Sequence, residues 1–306
     1  MMGEQMIIYL SLTVVAATPL ILAALGGVMS ERAGVVNIAL EGIMLTSAFV
    51  GFVVAAAVHN LWLGLIAAIL AGMLIASLHA VLSISFFVDQ IVSGMVINIL
   101  ALGITGVFYR TFLQQSTTRG PGTLPEWDIP VLSQIPVLGP IFFQHQVVTY
   151  GALVLVAVAW FVLFRTVWGL RTRAVGEHPL AADTVGINVY VLRYGAVLAS
   201  GLLSGLAGAF LSIGIANTFV PGMTDGRGYI ALAAMIFGKW HPVGALLACL
   251  LFAGADALAA RLNIAGINIP GQFLSMLPYL VTIVVVAGAM GRAVPPAADG
   301  KPYRKA

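Results

Sequence analysis

Long apolar stretches set the strongest constraint on how this sequence can fold. Several exceed the roughly 20 residues that an α-helix needs to cross the hydrocarbon core of a bilayer. Hydrophobic residues make up 60% of the 306 residues and charged residues 8%, whereas a soluble domain carries about 25% charged residues. Because backbone groups in lipid must be hydrogen-bonded within the protein, the sequence predicts an all-α fold. We expect one domain, 1–306, forming a polytopic transmembrane helical bundle of about 8–10 spans, with some helices broken or re-entrant.

The apolar segments follow one another along most of the chain. The predicted spans are Ile7–Gly27, Gly34–Val58, Leu61–Phe87, Ile91–Tyr109, Val147–Phe164, Val191–Ile213, Val243–Leu258 and Phe273–Met290. A further apolar piece, Tyr229–Phe237, is too short to span comfortably, and Lys239–Pro242 interrupts the chain after it. Irregular backbone at membrane depth is tolerated only inside protein or along a cavity, so this region predicts discontinuous helices. Counting crossings gives about nine, with the N-terminus outside.

Small residues recur every four positions in the span Val191–Ile213. Two ridges result, and they are Ser200, Ser204, Gly208 and Gly201, Gly205, Ala209. Small side chains at this spacing let helix backbones approach closely in membranes, which predicts that this helix is buried in the bundle or at a subunit interface.

The distribution of positive charge predicts which side of the membrane each loop faces. Four of the fourteen Lys and Arg residues lie between Arg165 and Arg193, and an excess of Arg in a short loop marks the cytoplasmic side. We therefore place the loop 165–190 and the basic tail 291–306 inside, and the Pro- and Gly-rich loop 111–146 outside. Within the inner loop, Pro179 and Gly186 suit the start and end of a two-turn helix. The alternative is a basic loop that only orients the chain.

The same loop carries a resemblance to a known family. The segment Arg-Ala-Val-Gly-Glu-His-Pro-Leu-Ala-Ala-Asp-Thr-Val-Gly-Ile, Arg173–Ile187, resembles the cytoplasmic coupling segment of ABC-transporter permeases for branched-chain amino acids, simple sugars and nucleosides. In that family the short helix docks into a cleft on a separate ATPase subunit. The docking residues that the resemblance implies are Arg173, Gly176, Glu177, Pro179, Ala181, Ala182 and Gly186.

A second motif narrows the resemblance. The segment Ser30–Gly42, Ser-Glu-Arg-Ala-Gly-Val-Val-Asn-Ile-Ala-Leu-Glu-Gly, is similar to the signature of the nucleoside-type permeases, the group associated with basic membrane lipoproteins. Family members often break a helix in this region, and Gly34 and Gly42 are compatible with such a break.

Polar groups inside the apolar spans are candidates for a translocation pathway. An ionisable side chain within a membrane helix is costly and usually faces a cavity or a partner. The candidates are Asn37, Glu41, Asn98, Asn217, Phe219 and Asp256. Each has a purely structural alternative: Glu41 solvated near the interface, Asn98 bonded to a neighbouring helix, and Asp256 paired with Arg261. His79 is interpreted as a hydrogen-bonded core residue rather than a proton relay.

The resemblance implies a permease subunit of an ATP-driven ABC importer in a bacterial inner membrane, forming half of the pathway. The implied partners are a cytosolic ATPase, a second permease, an external substrate-binding lipoprotein and the lipid membrane. The sequence contains no GxxxxGK[ST] motif, so ATP and Mg²⁺ belong to the ATPase and this chain carries no enzyme activity or cofactor of its own. The net charge of +3 reflects topology and does not indicate nucleic acid.

The sequence leaves alternatives for the substrate and for the class of transporter. The signature indicates nucleosides, and a simple-sugar importer permease of the ribose-like type is the alternative within the same mechanism. From another class, an ion-coupled secondary transporter would use Glu41, His79 and Asp256 as a relay. The single cysteine, Cys249, excludes an internal disulfide.

Overall fold

The computed structural model describes residues 2–114, 120–264 and 293–305 and the isolated positions 276, 280 and 283. The α-helices are α1 Met2–Glu31, α2 Leu40–Val58, α3 Leu61–Ala80, α4 Gln90–Phe108, α5 Leu138–Phe142, α6 Val147–Arg165, α7 Val167–Glu177, α8 Pro179–Thr184, α9 Val189–Ala209, α10 Arg227–Phe237 and α11 Pro242–Ile264. Segments of π-helix, Val81–Ser85, Tyr109–Leu113 and Phe210–Ala216, extend α3, α4 and α9. A 3₁₀ turn covers Leu132–Gln134, and the strands β1 Glu126–Asp128 and β2 Gln144–Gln146 pair antiparallel.

The helical membrane bundle predicted from composition is confirmed. Within the described residues, 7 helices are long and apolar enough to cross a membrane, and the shorter apolar helix α10 lies beside them. The predicted last span, Phe273–Met290, falls outside the described residues apart from isolated positions.

Several predicted boundaries are wrong by three to six residues. The second span begins at Leu40 rather than Gly34, because the chain after α1 turns and runs without helix before α2. Helical structure after α4 continues to Leu113, so the external loop predicted for 111–146 begins later. Helix α11 continues to Ile264, beyond the predicted end of that span at Leu258.

Helix α9 lies at the centre of the packing, as its small residues predicted. All six ridge residues are buried, and a Cβ added at Gly201 would lie 2.5 Å from Ala76 Cβ on α3. At Gly208 an added Cβ would lie 2.1 Å from the carbonyl oxygen of Met44 on α2. A side chain at either position would clash with the neighbouring helix. Glycine therefore lets the backbone of α9 pack directly against α2 and α3.

The basic segment between Arg165 and Arg193 contains two helices, not the single short one expected. Helix α8 matches the predicted helix, and α7 precedes it. The α7 helix starts where the Thr166 hydroxyl accepts a hydrogen bond from the Gly169 amide at 3.1 Å. It buries one stripe of residues, namely Gly169, Thr172, Val175 and Gly176. The high charge of this segment concealed that stripe, because its polar face dominates the composition.

Candidate functional site

The chain between α1 and α2 is a helix break whose backbone is satisfied by distant side chains. The Val36 amide donates to Gln90 Oε1 at 2.7 Å, and the Val36 carbonyl accepts from His79 Nε2 at 2.9 Å. Asn98 Nδ2 donates to the carbonyl of Ile38 at 2.9 Å. Non-helical backbone at membrane depth needs such partners because lipid offers none. The break that the resemblance implies is therefore present, and His79 is a hydrogen-bonded core residue.

Asn37 joins the non-helical segment between α1 and α2 to α9 by a hydrogen bond. Its amide nitrogen donates to Ser200 Oγ at 2.9 Å, and its Oδ1 accepts from the Ala39 amide at 3.1 Å. The side chain is fully buried. These contacts place Asn37 inside the protein, where it positions the start of α2.

Glu41 on α2 binds the N-terminal end of α10. Its two carboxylate oxygens accept from the amides of Gly226 at 2.9 Å and Gly228 at 2.7 Å. The N-terminus of a helix carries partial positive charge from its free N–H groups, which stabilises a carboxylate there. A Cβ added at Gly228 would lie 2.5 Å from the Glu41 amide nitrogen, so only glycine permits this approach.

Helix α10 is too short to cross a membrane by itself. Its 11 residues extend about 16 Å at 1.5 Å per residue, roughly half of the hydrocarbon core. Past its C-terminal end, Trp240 Nε1 donates to Glu31 Oε2 at 2.5 Å, which fixes that end beside the last turn of α1. The opposite end of α10 lies at Glu41, about 16 Å along the helix from the last turn of α1. The discontinuous helix predicted after residue 228 is present.

A cavity of about 260 Å³ lies at this helix end. Its polar lining is Glu41, Asn98, Thr224, Asp225 and Tyr229, and its apolar lining includes Met95, Ile99 and Leu102. Asn98 joins the two walls, because its Oδ1 accepts from the Gly42 amide at 2.8 Å and its Nδ2 donates to Tyr229 Oη at 2.9 Å. The structure thus brings two of the six predicted pathway residues, Glu41 and Asn98, into one site.

The cavity opens sideways through α4. Ile99 is 68% exposed and Tyr229 47% exposed, and Asp225 is exposed as well. Carboxylates within a membrane bundle are stable only beside water or a protein partner. This opening therefore faces water or another protein subunit rather than acyl chains.

The predicted docking residues divide into an outer and an inner set. Glu177, Ala181 and Gly186 are exposed, whereas Gly176 and Ala182 are buried. A Cβ added at Gly176 would lie 2.3 Å from the carbonyl oxygen of Arg32, so this glycine packs α7 against the helix break.

Arg173 also turns inward. Its Nε donates to the carbonyl of Leu163 at 3.0 Å, and its guanidinium lies 4.9 Å from the centre of the Phe164 ring. Arg32 lies on the same ring at 5.7 Å, and burial together with the Arg173 charge lowers the pKa of Arg32. Arg173 thus holds α7 against the end of α6.

Comparison with known proteins decides the family. The model of the branched-chain amino acid transport system permease component matches residues 9–286. This chain belongs to that permease family. The guanosine ABC transporter permease protein NupQ of Bacillus subtilis is 47% identical over 305 residues, covering 96% of this chain and 95% of NupQ. The nucleoside ABC transporter permease protein NupC of Lactococcus lactis is 45% identical over 298 residues, with 94% of each chain covered. The putative glucose ABC transporter permease protein TsgC13 of Haloferax volcanii is 40% identical, with 92% of each chain covered.

The remaining predicted pathway residues of this permease lie away from the cavity. Asn217 Oδ1 accepts from the Gly122 amide at 2.8 Å and so ties two loops together. Phe219 is buried, with its ring centre 5.1 Å from that of Phe49. Their pathway role stays a prediction.

Asp256 lines a different cavity of the permease, an apolar one of about 640 Å³ bordered by α1 and α11. Arg227 and Arg261 line the same cavity. The pairing alternative is wrong: Asp256 and Arg261 are both described, no ion pair joins them, and Arg261 donates instead to the carbonyl of Gln5. The pathway role of Asp256 stays a prediction.

Asp225 and Tyr229 line the cavity without being among the six predicted pathway residues. Both belong to a glycine-rich stretch, with Gly222 and Gly226 at positive φ angles of 74° and 77°. Sequence alone places such a stretch in an external loop. The available signal was the short length of the α10 segment, since a half-length helix requires that the loop before it enter the membrane.

Proposed function

We propose that this chain is the permease subunit of an ATP-driven ABC importer for nucleosides, and that the cavity at Glu41 is its half of the translocation pathway. The observation that carries the proposal is the placement of polar groups around a cavity that opens sideways from a membrane bundle. The relatives named for guanosine and nucleosides, at 47% and 45% identity, support the substrate class.

The chemistry of the cavity suits a nucleoside. Carboxylates accept hydrogen bonds from hydroxyl groups, and Asp225 is exposed and able to accept them from a ribose. The half-exposed Tyr229 ring offers an aromatic face to a base. Glu41 already accepts two backbone hydrogen bonds, so we assign it the positioning of α10.

A second permease subunit completes the pathway in this proposal. The cavity volume of about 260 Å³ lies below the roughly 300–1,000 Å³ typical of enclosed ligand sites. A second chain against the open side at α4 would enlarge the cavity and keep lipid away from Asp225. From the family resemblance we expect that chain to be a different permease.

Transport is driven by partners outside this chain. A cytosolic ATPase subunit, which carries ATP and Mg²⁺, would dock at α8, and an external substrate-binding lipoprotein would deliver the nucleoside at the opposite end. ATP binding can shift the bundle only by its differential binding energy for two conformations. We place the protein in a bacterial inner membrane with α8 and the C-terminus in the cytoplasm, following its basic residues.

A simple-sugar importer is the second candidate, because the relative TsgC13 is named for glucose. Sugars present many hydroxyl groups and no aromatic base. Loss of the Tyr229 ring would therefore impair nucleoside uptake strongly and sugar uptake weakly.

The test is uptake of labelled guanosine, uridine, ribose and glucose by cells with and without this chain, before and after ATP depletion. We expect ATP-dependent guanosine or uridine uptake that requires the chain. Asp225→Asn and Tyr229→Ala should each reduce it about tenfold or more, a loss of roughly 1.4 kcal/mol, whereas Asp128→Asn in the outer loop should have no effect. Loss of sugar uptake alone would overturn the nucleoside assignment, and uptake that follows the proton gradient after ATP depletion would overturn the importer class.

A further inference from the structure

The C-terminal tail, residues 297–305, is built into the same face as the coupling helix α8. The Ala298 amide donates to the carbonyl of Gly176 at 2.9 Å, and the Ala297 amide donates to Glu177 Oε2 at 3.1 Å. Arg193 Nη1 donates to the carbonyl of Lys301 at 3.0 Å. The tail therefore follows α7 and the start of α9 with its own backbone hydrogen bonds.

Tyr303 anchors the tail in an apolar cluster beneath α8. It is 4% exposed, and its neighbours are Val175, Ala182, Val189 and Leu192. Its ring centre lies 5.4 Å from that of Tyr190. Ala182 of the coupling helix is thus buried by this chain's own tail, and the orientation of α8 depends on Tyr303.

A groove separates α8 from the tail. Its volume is about 520 Å³, and its two walls are formed by His178, Pro179, Leu180 and Ala181 and by Lys301, Pro302, Tyr303 and Arg304. Leu180 is 60% exposed at its edge, and Val185 is exposed just past the end of α8. A groove with exposed aliphatic side chains at the end of a coupling helix is suited to receive an apolar projection from another protein.

The tail makes the surface around the groove positively charged. Asp183 pairs with Lys305 at 3.9 Å, and Glu177 accepts the Ala297 amide. Both carboxylates at the ends of α8 therefore have partners within the chain. Arg304, Lys305 and Arg171 are exposed, so the surface presents cations that a protein with acidic side chains would complement.

We propose that the ATPase docking surface of this permease is formed jointly by α8 and the C-terminal tail: α8 enters the cleft of the cytosolic ATPase subunit, and the groove between α8 and the tail receives an apolar rim of that cleft with acidic side chains beside it. This inference rests on the proposed function and extends it to a segment outside the coupling motif. It also connects the groove with the helix break, because the carbonyl oxygen of Ala298 would lie 3.1 Å from a Cβ at Gly34.

The first test removes the anchor of the tail. Tyr303→Ala deletes the ring from its cluster, and Tyr303→Phe is the matched control because it keeps the ring there. The tagged permease is purified from its host membranes, and the retained ATPase is identified by mass spectrometry through its GxxxxGK[ST] sequence and assayed by vanadate-sensitive ATP hydrolysis. We expect at least a tenfold loss for Tyr303→Ala and no loss for Tyr303→Phe. Equal retention by both variants would overturn the inference.

The second test keeps the Tyr303 ring in place, so it does not depend on the stability of the Tyr303→Ala variant. Pro302→Cys places a thiol in the exposed part of the groove, and Gln134→Cys places one in the loop predicted to lie outside. The only native cysteine, Cys249, is fully buried and should not react. With a water-soluble maleimide, we expect the bound ATPase to protect position 302 and leave position 134 unchanged.

The outcomes separate the two proposals. Protection at position 302 together with loss of the ATPase in Tyr303→Ala supports the joint groove. If the wild-type chain retains the ATPase but position 302 labels at full rate in the complex, the tail is not part of the docking surface and the importer assignment stands. If the wild-type chain retains no ATPase, the proposed function itself is overturned.

Discussion

At the scale of single residues, the carboxylate of Glu41 stabilises the start of a helix that belongs to another part of the chain. Glu41→Ala removes the acceptor of the Gly226 and Gly228 amides, and a hydrogen bond to a charged group contributes about 1.5–3 kcal/mol. We expect a lower unfolding temperature in detergent, with a smaller loss for Glu41→Gln, which keeps one acceptor. Glu126→Ala, exposed in the outer loop, is the control. Equal unfolding temperatures for Glu41→Ala and this control would contradict the assignment.

Asp299 makes docking of the tail dependent on pH. Burial raises its pKa from 3.8 to about 7, although a hydrogen bond with Glu31 and the Arg193 charge act in the opposite direction. The docked tail therefore holds the proton more tightly than the free tail does. Docking is strongest below about pH 4 and weakens as the pH rises toward 7, by up to about tenfold per unit. Above pH 7 it should change no further.

Amide hydrogen exchange can measure this dependence. The Ala298 amide is bonded to Gly176 only while the tail is docked. After correction for the intrinsic exchange rate, its protection should fall between pH 5 and 7 in the wild-type chain. Asp299→Asn carries no charge at either pH and should give constant protection. A slope that persists in Asp299→Asn would assign the titration to another group, such as Glu31.

At the scale of helices, the contact between α9 and α3 depends on glycine. Gly201→Ala would place a methyl group 2.5 Å from Ala76 Cβ and 2.7 Å from the Gly72 carbonyl oxygen. Overpacking of this kind costs about 1–3 kcal/mol. Gly195→Ala on the same helix meets nothing within 4 Å and should leave stability unchanged or slightly raised. Thermal unfolding of both variants in detergent tests the contact, and equal stabilities would show that α9 is not packed this closely.

The sequence predicts a helix correctly where its apolar composition or the residue pattern on one of its faces determines it. The spans follow from apolar length, and the burial of α9 follows from its small residues. The break before Leu40 was misplaced because Val35–Ala39 is apolar enough to continue a helix. The groups that stabilise its extended backbone, His79, Gln90 and Asn98, lie more than 40 residues away along the chain.

The sequence predicts only part of the site. Glu41 and Asn98 stand out as polar residues within apolar spans, and the structure brings them together. Asp225 and Tyr229 do not stand out, because the depth of their loop is set by tertiary packing of α10 against α1 and α2. The tail was likewise expected only as a cytoplasmic end, since its hydrogen bonds to α7 depend on a fold that sequence spacing does not reveal.

At the scale of the whole molecule, the proposed second permease subunit would close the polar cavity on the α4 side. Exposed apolar side chains on α3, such as Leu74 at 69%, line no described polar cavity and are suited to lipid. Ile99 on α4 borders the opening beside Asn98. In the assembled transporter we therefore expect the surface around Ile99 to lie against another permease chain and the surface around Leu74 to face acyl chains.

Cysteine crosslinking in membranes tests this arrangement. Ile99→Cys labelled with a short maleimide that carries a photoreactive group, which needs no thiol on the partner, should on illumination form a crosslink of the mass of two permease chains, and Leu74→Cys should not. The buried Cys249 contributes little background. Added nucleoside should slow the Ile99→Cys reaction if the cavity lies at the interface, because the ligand would occupy the space beside that thiol. Crosslinking through Leu74→Cys alone would place the second subunit against α3, and the cavity at Glu41 would then open to lipid and could not be half of a shared pathway.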